Sequence, residues 1–488
     1  MNILIASVFS YNSYSRGIMP DVLQTQIDKN PGANIYYLTN SNSFDICYFN
    51  IEKRPEVCYL CKTGVKNTLS LIEENFTHLK IKDLISPEDT ITAQKYFESK
   101  KKISFDQVYE EFEVGAATLS TYISRTRDRE LINVEKYYVK ELAINALALY
   151  LATKRFLKEK NIDVVYNFNG RQDYVRAIMR ASLALNINCF NVERARVGGY
   201  IETFKNTLSH DIQAKKDHVD LCWEQESWND QEKIEIGSSF YTRQRGGESV
   251  IFPSYLKNQT KNYIPEEIQN GKDNVVLFNS SDDEFAALGD QFNNPIFKDQ
   301  LEGISYLINL FGRQYPNTNF IIRMHPNLRN VNYKYVTDIK DQHQKYPNIF
   351  VIYPESDIDS YALMDLATTV ITFGSTLGLE ATFYKKPSIL LGKCFYYYSN
   401  VAYTPVNTFE LENLLKTKNL IPLPQINALK FGFYYLKGGE KSKYYNEVEV
   451  GENVYFKGEK IHSYNFFQLI FYAVIKYINK FTGIRIKI

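Results

Sequence analysis

Cysteine is scarce in this chain, with six among 488 residues, at positions 47, 58, 61, 189, 222 and 394. So few thiols, so widely spaced, exclude a disulfide-stapled scaffold and fit reduced side chains. Cys58 and Cys61 form a lone CxxC. A zinc site needs a second pair or nearby histidines, and only Cys47 lies close, so buried thiols and no metal are expected. An excess of charge is also missing: 57 basic side chains face 56 acidic ones, a net of +1. The one basic run, Lys100-Lys101-Lys102, is accounted for by a solvated helix end, so no nucleic-acid partner is expected. No apolar run reaches the roughly eighteen residues that a spanning helix requires. The segment 1–7 has too short an apolar run and no basic flank, and reads as a first strand rather than a signal peptide. A cytoplasmic location is the expectation.

What the chain does have is length and apolar mass. A chain of 488 residues, 44% of them hydrophobic, exceeds one ordinary core, so two domains are expected. Strand-like and helix-like patterns alternate in both halves, the signature of parallel sheets flanked by helices. In the first half the strands are expected at 2–8, 33–38, 163–168 and 188–192. Helices are expected at 19–29 and 174–185, and 66–160 reads as mostly helical, ending in the apolar-periodic run 134–158. Residues 241–272 are polar, carry Gly and Pro and lack periodicity. The second half restarts with strands at 274–278, 319–323, 349–353, 369–373 and 388–391, and helices at about 298–314 and 359–367. The division expected is a Rossmann-like domain with a helical insertion at 1–250, a linker at 251–272, a second domain at 273–440 and a tail at 441–488. Two α/β halves joined by a linker make a GT-B-like architecture, two Rossmann-like domains facing a central cleft.

The chemistry is expected in loops that leave strand ends. At 370–392 a buried strand runs into Gly374-Ser375-Thr376 and a helix starts at once. Backbone N–H groups, two hydroxyls and the positive end of the helix then favour a phosphate guest. Glu380, one turn in, could reach ribose hydroxyls. A plain Ser/Thr cap with Glu380 completing it explains the spacing equally well. His325 lies between a strand and Pro326, which biases it toward an extended backbone. With Arg323 nearby, its imidazole could contact a phosphate or protonate a leaving group. Ser280 and Ser281, before Asp282 and Asp283, offer hydroxyls and amides for phosphate, or form a solvated turn. In the first half, Asn169 and Arg171 leave one strand and Glu193 the next. Buried strands ending in such groups are costly unless they face a polar cleft. Glu193 is therefore a candidate acid, base or nucleophile and Arg171 a candidate anion clamp, with an internal Arg171–Glu193 ion pair as the competing explanation.

The set FNGR (168–171), NVER (191–194), SSDDEF (280–285), RMHP (323–326) and FGSTLGLEA (373–381) resembles the capsule polysaccharide biosynthesis family. That family includes Kdo transferases of capsule assembly and related surface-glycan, lipopolysaccharide-type glycosyltransferases. The likeness runs over roughly 1–440. It implies a GT-B fold, an acceptor-side first domain and a second domain that binds a nucleotide-sugar, with no cofactor or metal. Ser280, Ser281, Arg323, His325, Gly374, Ser375 and Thr376 would hold the donor's phosphate, and Glu380 the ribose. The associated donors are CMP-linked acidic sugars such as Kdo. Asn169 and Arg171 would meet the sugar or a glycan or glycolipid acceptor. Glu193 first and Asp173 second would serve as base or nucleophile. Where relatives often place a Gly soon after Glu-Arg, this chain reads Ala195-Arg196-Val197-Gly198. A polyol-phosphate transferase, a nucleotide-sugar epimerase and a non-catalytic assembly or export factor are the alternatives, since a fold alone does not settle function.

The last segment, 461–488, is rich in Phe, Tyr and Ile, carries Lys476, Lys480, Arg485 and Lys487, and has no acid. It is expected either to lie on the inner face of a membrane or to pack against the first domain.

Overall fold

In the computed structural model, residues 1–136, 138–248, 256–280, 287–449, 452–461, 464 and 466–482 are described. The chain forms two compact units, Met1–His210 with Gly439–Ile488, and Asp211–Gly438.

The first unit opens with strands β1 (Asn2–Ser7), β2 (Asn34–Thr39), β3 (Thr77–Lys80), β4 (Val164–Phe168), β5 (Asn188–Arg194) and β6 (Tyr200–Lys205). The second unit holds β7 (Asp273–Phe278), β8 (Thr318–Arg323), β9 (Ile349–Ile352), β10 (Thr369–Thr372) and β11 (Ser388–Leu390). The chain then returns to the first unit as β12 (Glu440–Lys441), β13 (Tyr445–Glu449), β14 (Glu452–Phe456) and β15 (Glu459–Lys460). The first sheet has seven strands in the order β12-β6-β5-β4-β1-β2-β3. Its strands β3, β2, β1, β4 and β5 run parallel, while β6 and β12 add an antiparallel edge.

The second sheet has five strands, β11-β10-β7-β8-β9, all parallel. Its strands alternate between two cores. Val275, Leu277, Phe320 and Ile322 pack on one face with Ile304, Leu307 and Phe311 of the helix Gln300–Gln314. Val276, Phe278 and Ile321 pack on the other face with Leu363 and Met364 of the helix Ser360–Leu366. A parallel sheet covered on both faces explains why these strands read as continuous apolar runs. The helix Gln300–Gln314 starts where Asp299 caps it, accepting a hydrogen bond from the Glu302 N–H at 3.0 Å. The α/β class expected from the alternation is what both units display.

The boundaries differ from those expected. Residues 211–248 belong to the second unit and form the helices Ile212–Trp223 and Asp230–Arg245. These pack against the helix Gln425–Lys437 around Phe240, Tyr241 and Phe433. Their weak amphipathic pattern hid them in the sequence. Residues 256–270 are not a loose connection either. The Thr260 N–H donates to the Asp357 carbonyl at 2.7 Å, the Asn262 N–H to Asp359 at 2.8 Å, and Ile268 is 1% exposed. Within the stretch expected to be helical, β3 is an edge strand whose sequence, THLK, lacks an apolar alternation.

Candidate functional site

The strand order of the second sheet decides where a ligand would sit. The chain starts at β7, steps to β8 and β9 on one side, then crosses to β10 and β11 on the other. The reversal lies between β7 and β10, and in open parallel sheets ligands bind beyond the carboxyl ends of the strands at such a point. The register aligns those ends, because Phe278 pairs with both Arg323 and Thr372. Three loops therefore leave from one row: Asn279-Ser280, Met324-His325 and Phe373-Gly374-Ser375. With neighbouring strands about 4.8 Å apart, their starts fall within roughly 10 Å.

Each loop is held by specific bonds. Asn279 ties the first two together, donating its N–H to the Arg323 carbonyl at 3.2 Å and accepting the His325 N–H at its Oδ1 at 2.5 Å. The Ser280 backbone is gripped at both ends by the Gln300 side chain, at 3.0 and 3.1 Å. His325 caps the short helical turn Pro326–Leu328, its Nδ1 accepting the Asn327 N–H at 3.1 Å. With Nδ1 an acceptor, the neutral ring carries its proton on Nε2, the form that donates to an anion. Ser281, with Asp282 and Asp283, lies outside the described residues.

The third loop turns on Gly374, whose φ of 140° is a conformation that side chains rarely tolerate. Thr372 organises it. Its Oγ1 accepts the N–H groups of Gly374 at 3.1 Å and Ser375 at 2.8 Å. These two amides, expected to face phosphate, are instead turned inward. Ser375 caps the helix Thr376–Phe383, its Oγ accepting the Leu377 N–H at 3.4 Å, and its carbonyl accepts the Tyr396 hydroxyl at 2.7 Å. The groups left for an anion are the Ser375 hydroxyl proton and the Thr376 N–H at the positive helix end.

Two expected ligand contacts are redirected. Glu380 is 3% exposed and accepts the Tyr361 hydroxyl at 2.6 Å. Burial pushes its carboxyl up to about 7, opposed by hydrogen bonds from Tyr361 and Thr376 and by the charge of Arg245. So enclosed, its carboxyl group braces the Gly374–Thr376 turn from behind and is not presented to a ribose. Arg323 is 3% exposed and gives its guanidinium to the Tyr353 carbonyl at 2.6 Å, the Ser356 carbonyl at 3.2 Å and Ser360 Oγ at 3.4 Å. Burial lowers it to about 10, with Arg329 adding to the effect. It clamps the loop after β9. With Gln259, Pro326, Arg329 and Ser356 it also lines a cavity of about 240 Å³ beside His325.

In the first unit the ends of β4 and β5 are neighbours, Phe168 pairing with Val192. Asn169 (φ 61°) and Gly170 (φ 79°) reverse the chain, and a Cβ on Gly170 would come within 2.7 Å of Asn191. The Asn169 side chain accepts the Arg171 N–H at 3.0 Å and donates to Glu193. Arg171 is buried, with its Nε at 3.2 Å from Ser120 Oγ and its Nη2 at 3.1 Å from Ser124 Oγ. Glu193 is half-buried and also accepts the Arg194 N–H at 2.9 Å. Asp173 is a different case. It is fully enclosed at the start of the helix Asp173–Leu183, accepts from Thr121, and is pushed up to about 7 by burial. A carboxyl sealed in the core cannot meet an acceptor, so Asp173 is a structural acid.

Sequence reasoning missed several members of these sites. Asn279, Gln300, Thr372 and Tyr396 position the second-unit loops, and buried Asn and Thr at strand ends were the available signal. Glu447 of β13 reaches Arg194 at 2.9 Å and accepts the Tyr445 hydroxyl at 2.6 Å. Arg194 in turn lies over the Tyr14 ring at 5.2 Å. Nothing local in the sequence links positions 194 and 447.

No curated protein matches the chain. Among solved structures, it resembles the Thermosulfurimonas dismutans KpsC beta Kdo 2,4 transferase at 13% identity, over 65% of this chain and 88% of that one, with a TM-score of 0.37. The beta Kdo 2,7 transferase of the same protein gives 13% identity, 66% and 88% coverage and 0.34. A putative UDP-N-acetylglucosamine 2-epimerase from Listeria monocytogenes gives 11% identity, 90% and 93% coverage and 0.26. The family model described as capsule polysaccharide biosynthesis protein matches residues 290–418. That span contains the His325-Pro326 and Gly374–Glu380 motifs and leaves the first-unit motifs outside. Through residues 290–418, then, the chain matches the capsule polysaccharide biosynthesis family that its motifs resemble.

Proposed function

We propose that the protein is a GT-B-type glycosyltransferase that moves a sugar from a nucleotide donor to a growing capsule or other surface glycan. The observation that carries this reading is the single row formed by Phe278, Arg323 and Thr372, from which three polar loops leave at the sheet's reversal point. His325 Nε2–H, the Ser375 hydroxyl and the Thr376 N–H act as the donor's phosphate grip, with Ser280 beside them. The work done on the donor is electrostatic. As the sugar–oxygen bond to the nucleotide breaks, negative charge grows on the departing phosphate, and these donors would stabilise it. A CMP-linked acidic sugar such as Kdo is the donor put forward. Glu193, oriented by Asn169, is the carboxylate proposed to take the acceptor's proton or to act as nucleophile.

A panel of nucleotides tests this by thermal unfolding. Trp223 and Trp228 are the chain's two tryptophans and both lie in the second unit, so their fluorescence reports the unit concerned. The expected result is preferential stabilisation by CMP, lost in His325→Ala. A preference for CDP-glycerol would favour a polyol-phosphate transferase, and no response to any nucleotide would defeat the proposal.

A further inference from the structure

The helix Phe466–Thr482 does not cover its apolar surface. It packs on the first unit by a narrow stripe, with Ile475 1% exposed and Gln468 and Tyr472 half-buried. The contact is with the helix Pro55–Leu69, where the Phe471 and Tyr59 rings lie 5.0 Å apart. A second stripe faces outward: Phe467 at 79% exposure, Ile470 at 45%, Val474 at 46% and Tyr477 at 64%. Their spacing of three, four and three residues sets them along one face of a helix. Isolated exposed apolar residues, such as Leu221, are ordinary, whereas a continuous stripe marks an interaction surface.

Charge identifies the partner. The chain as a whole is +1, yet residues 461–488 hold Lys476, Lys480, Arg485 and Lys487 and no Asp or Glu. An apolar stripe on a helix within a purely cationic segment matches a surface that is oily below and negative above. A second copy of the chain fits less well, because a symmetric contact would bring the same cations of both copies together. Among the described residues no helix is long and apolar enough to cross a membrane, so this one would lie along the surface. We propose that the helix Phe466–Thr482 docks the protein on an anionic lipid bilayer, with Phe467, Ile470, Val474 and Tyr477 entering the boundary between headgroups and acyl chains. This goes beyond the glycosyltransferase reading and does not depend on it.

The test is co-sedimentation of the full-length protein with vesicles of phosphatidylglycerol and phosphatidylcholine, and with phosphatidylcholine alone. Binding to the mixed vesicles should be at least tenfold stronger than to phosphatidylcholine and should weaken as salt is raised. It should drop at least tenfold in the triple variant Phe467→Ser, Ile470→Ser, Val474→Ser. Because those side chains are exposed, the variant should keep the wild-type circular dichroism spectrum and thermal midpoint, which separates lost docking from lost folding. Wild-type protein that stays in the supernatant, equal binding to both vesicle types, or undiminished binding by the triple variant would overturn the proposal. So would a concentration-dependent dimer that the triple variant abolishes, since the face would then belong to a second copy.

Discussion

Replacing Thr372 by Val keeps the shape of the side chain and removes the one oxygen that organises the Gly374–Ser375 turn. That oxygen accepts the N–H groups of Gly374 at 3.1 Å and Ser375 at 2.8 Å. Thr372 is fully buried and Gly374 buried, while Ser375 is half-buried, so water can reach the second amide but not the first. An orphaned buried donor costs about 1–3 kcal/mol, and a partly hydrated one less, so the loss should be about 2–4 kcal/mol. For a unit of this size that lowers the thermal midpoint by roughly 5–15 °C. Tryptophan fluorescence of the intact chain reads it, because Trp223 and Trp228 both lie in the second unit. The loop also loses its fixed backbone, so nucleotide affinity should fall at least tenfold in calorimetric titration. Thr369→Val, at the other end of the same strand, should change neither. An unchanged midpoint together with unchanged affinity in Thr372→Val would refute the claim that this hydroxyl sets the loop.

Glu380→Gln should flatten the pH dependence of second-unit stability. The carboxyl is raised from 4.5 to about 7, so its contribution is complete below pH 4.5 and is lost as pH climbs through 7. Relative to the Gln variant, the wild type should lose on the order of 3 kcal/mol between pH 4 and pH 8, readable from urea midpoints. In sugar-transfer assays Glu193→Gln should abolish turnover while leaving nucleotide affinity intact, whereas Asp173→Asn should keep turnover per folded molecule. Equal loss in both would undo the distinction drawn between them. Arg323→Met strips hydrogen bonds from the Tyr353 and Ser356 carbonyls, so hydrogen exchange across 353–360 should accelerate more than anywhere else in the second unit.

The second sheet was legible because its strands are apolar runs ending in polar loops. The order of those strands then brought the starts of three of the five motifs to one edge of that sheet. What the sequence hid follows from physics that short windows do not carry. The helices at 212–223 and 230–245 have weak amphipathic patterns, and their unit became clear only through Phe240, Tyr241 and Phe433 packing together. Glu380 sits at a spacing that fits either a ligand or a brace, and its burial against Tyr361 decided between them. The inward turn of the Gly374 and Ser375 amides depends on one hydroxyl two and three residues upstream, a detail that residue types alone leave open. Asp173 and Glu193 are both acids near strand ends in sequence, yet one is sealed and the other half-exposed. Glu447 joins Arg194 only because the chain returns to the first unit after Gly438.

Hydrogen–deuterium exchange with and without CMP tests the proposed phosphate grip most directly. The account predicts that bound nucleotide slows exchange together in the segments 278–280, 324–328 and 374–378, and that His325→Ala removes all three protections. Protection confined to other segments, or none at saturating nucleotide, would contradict it.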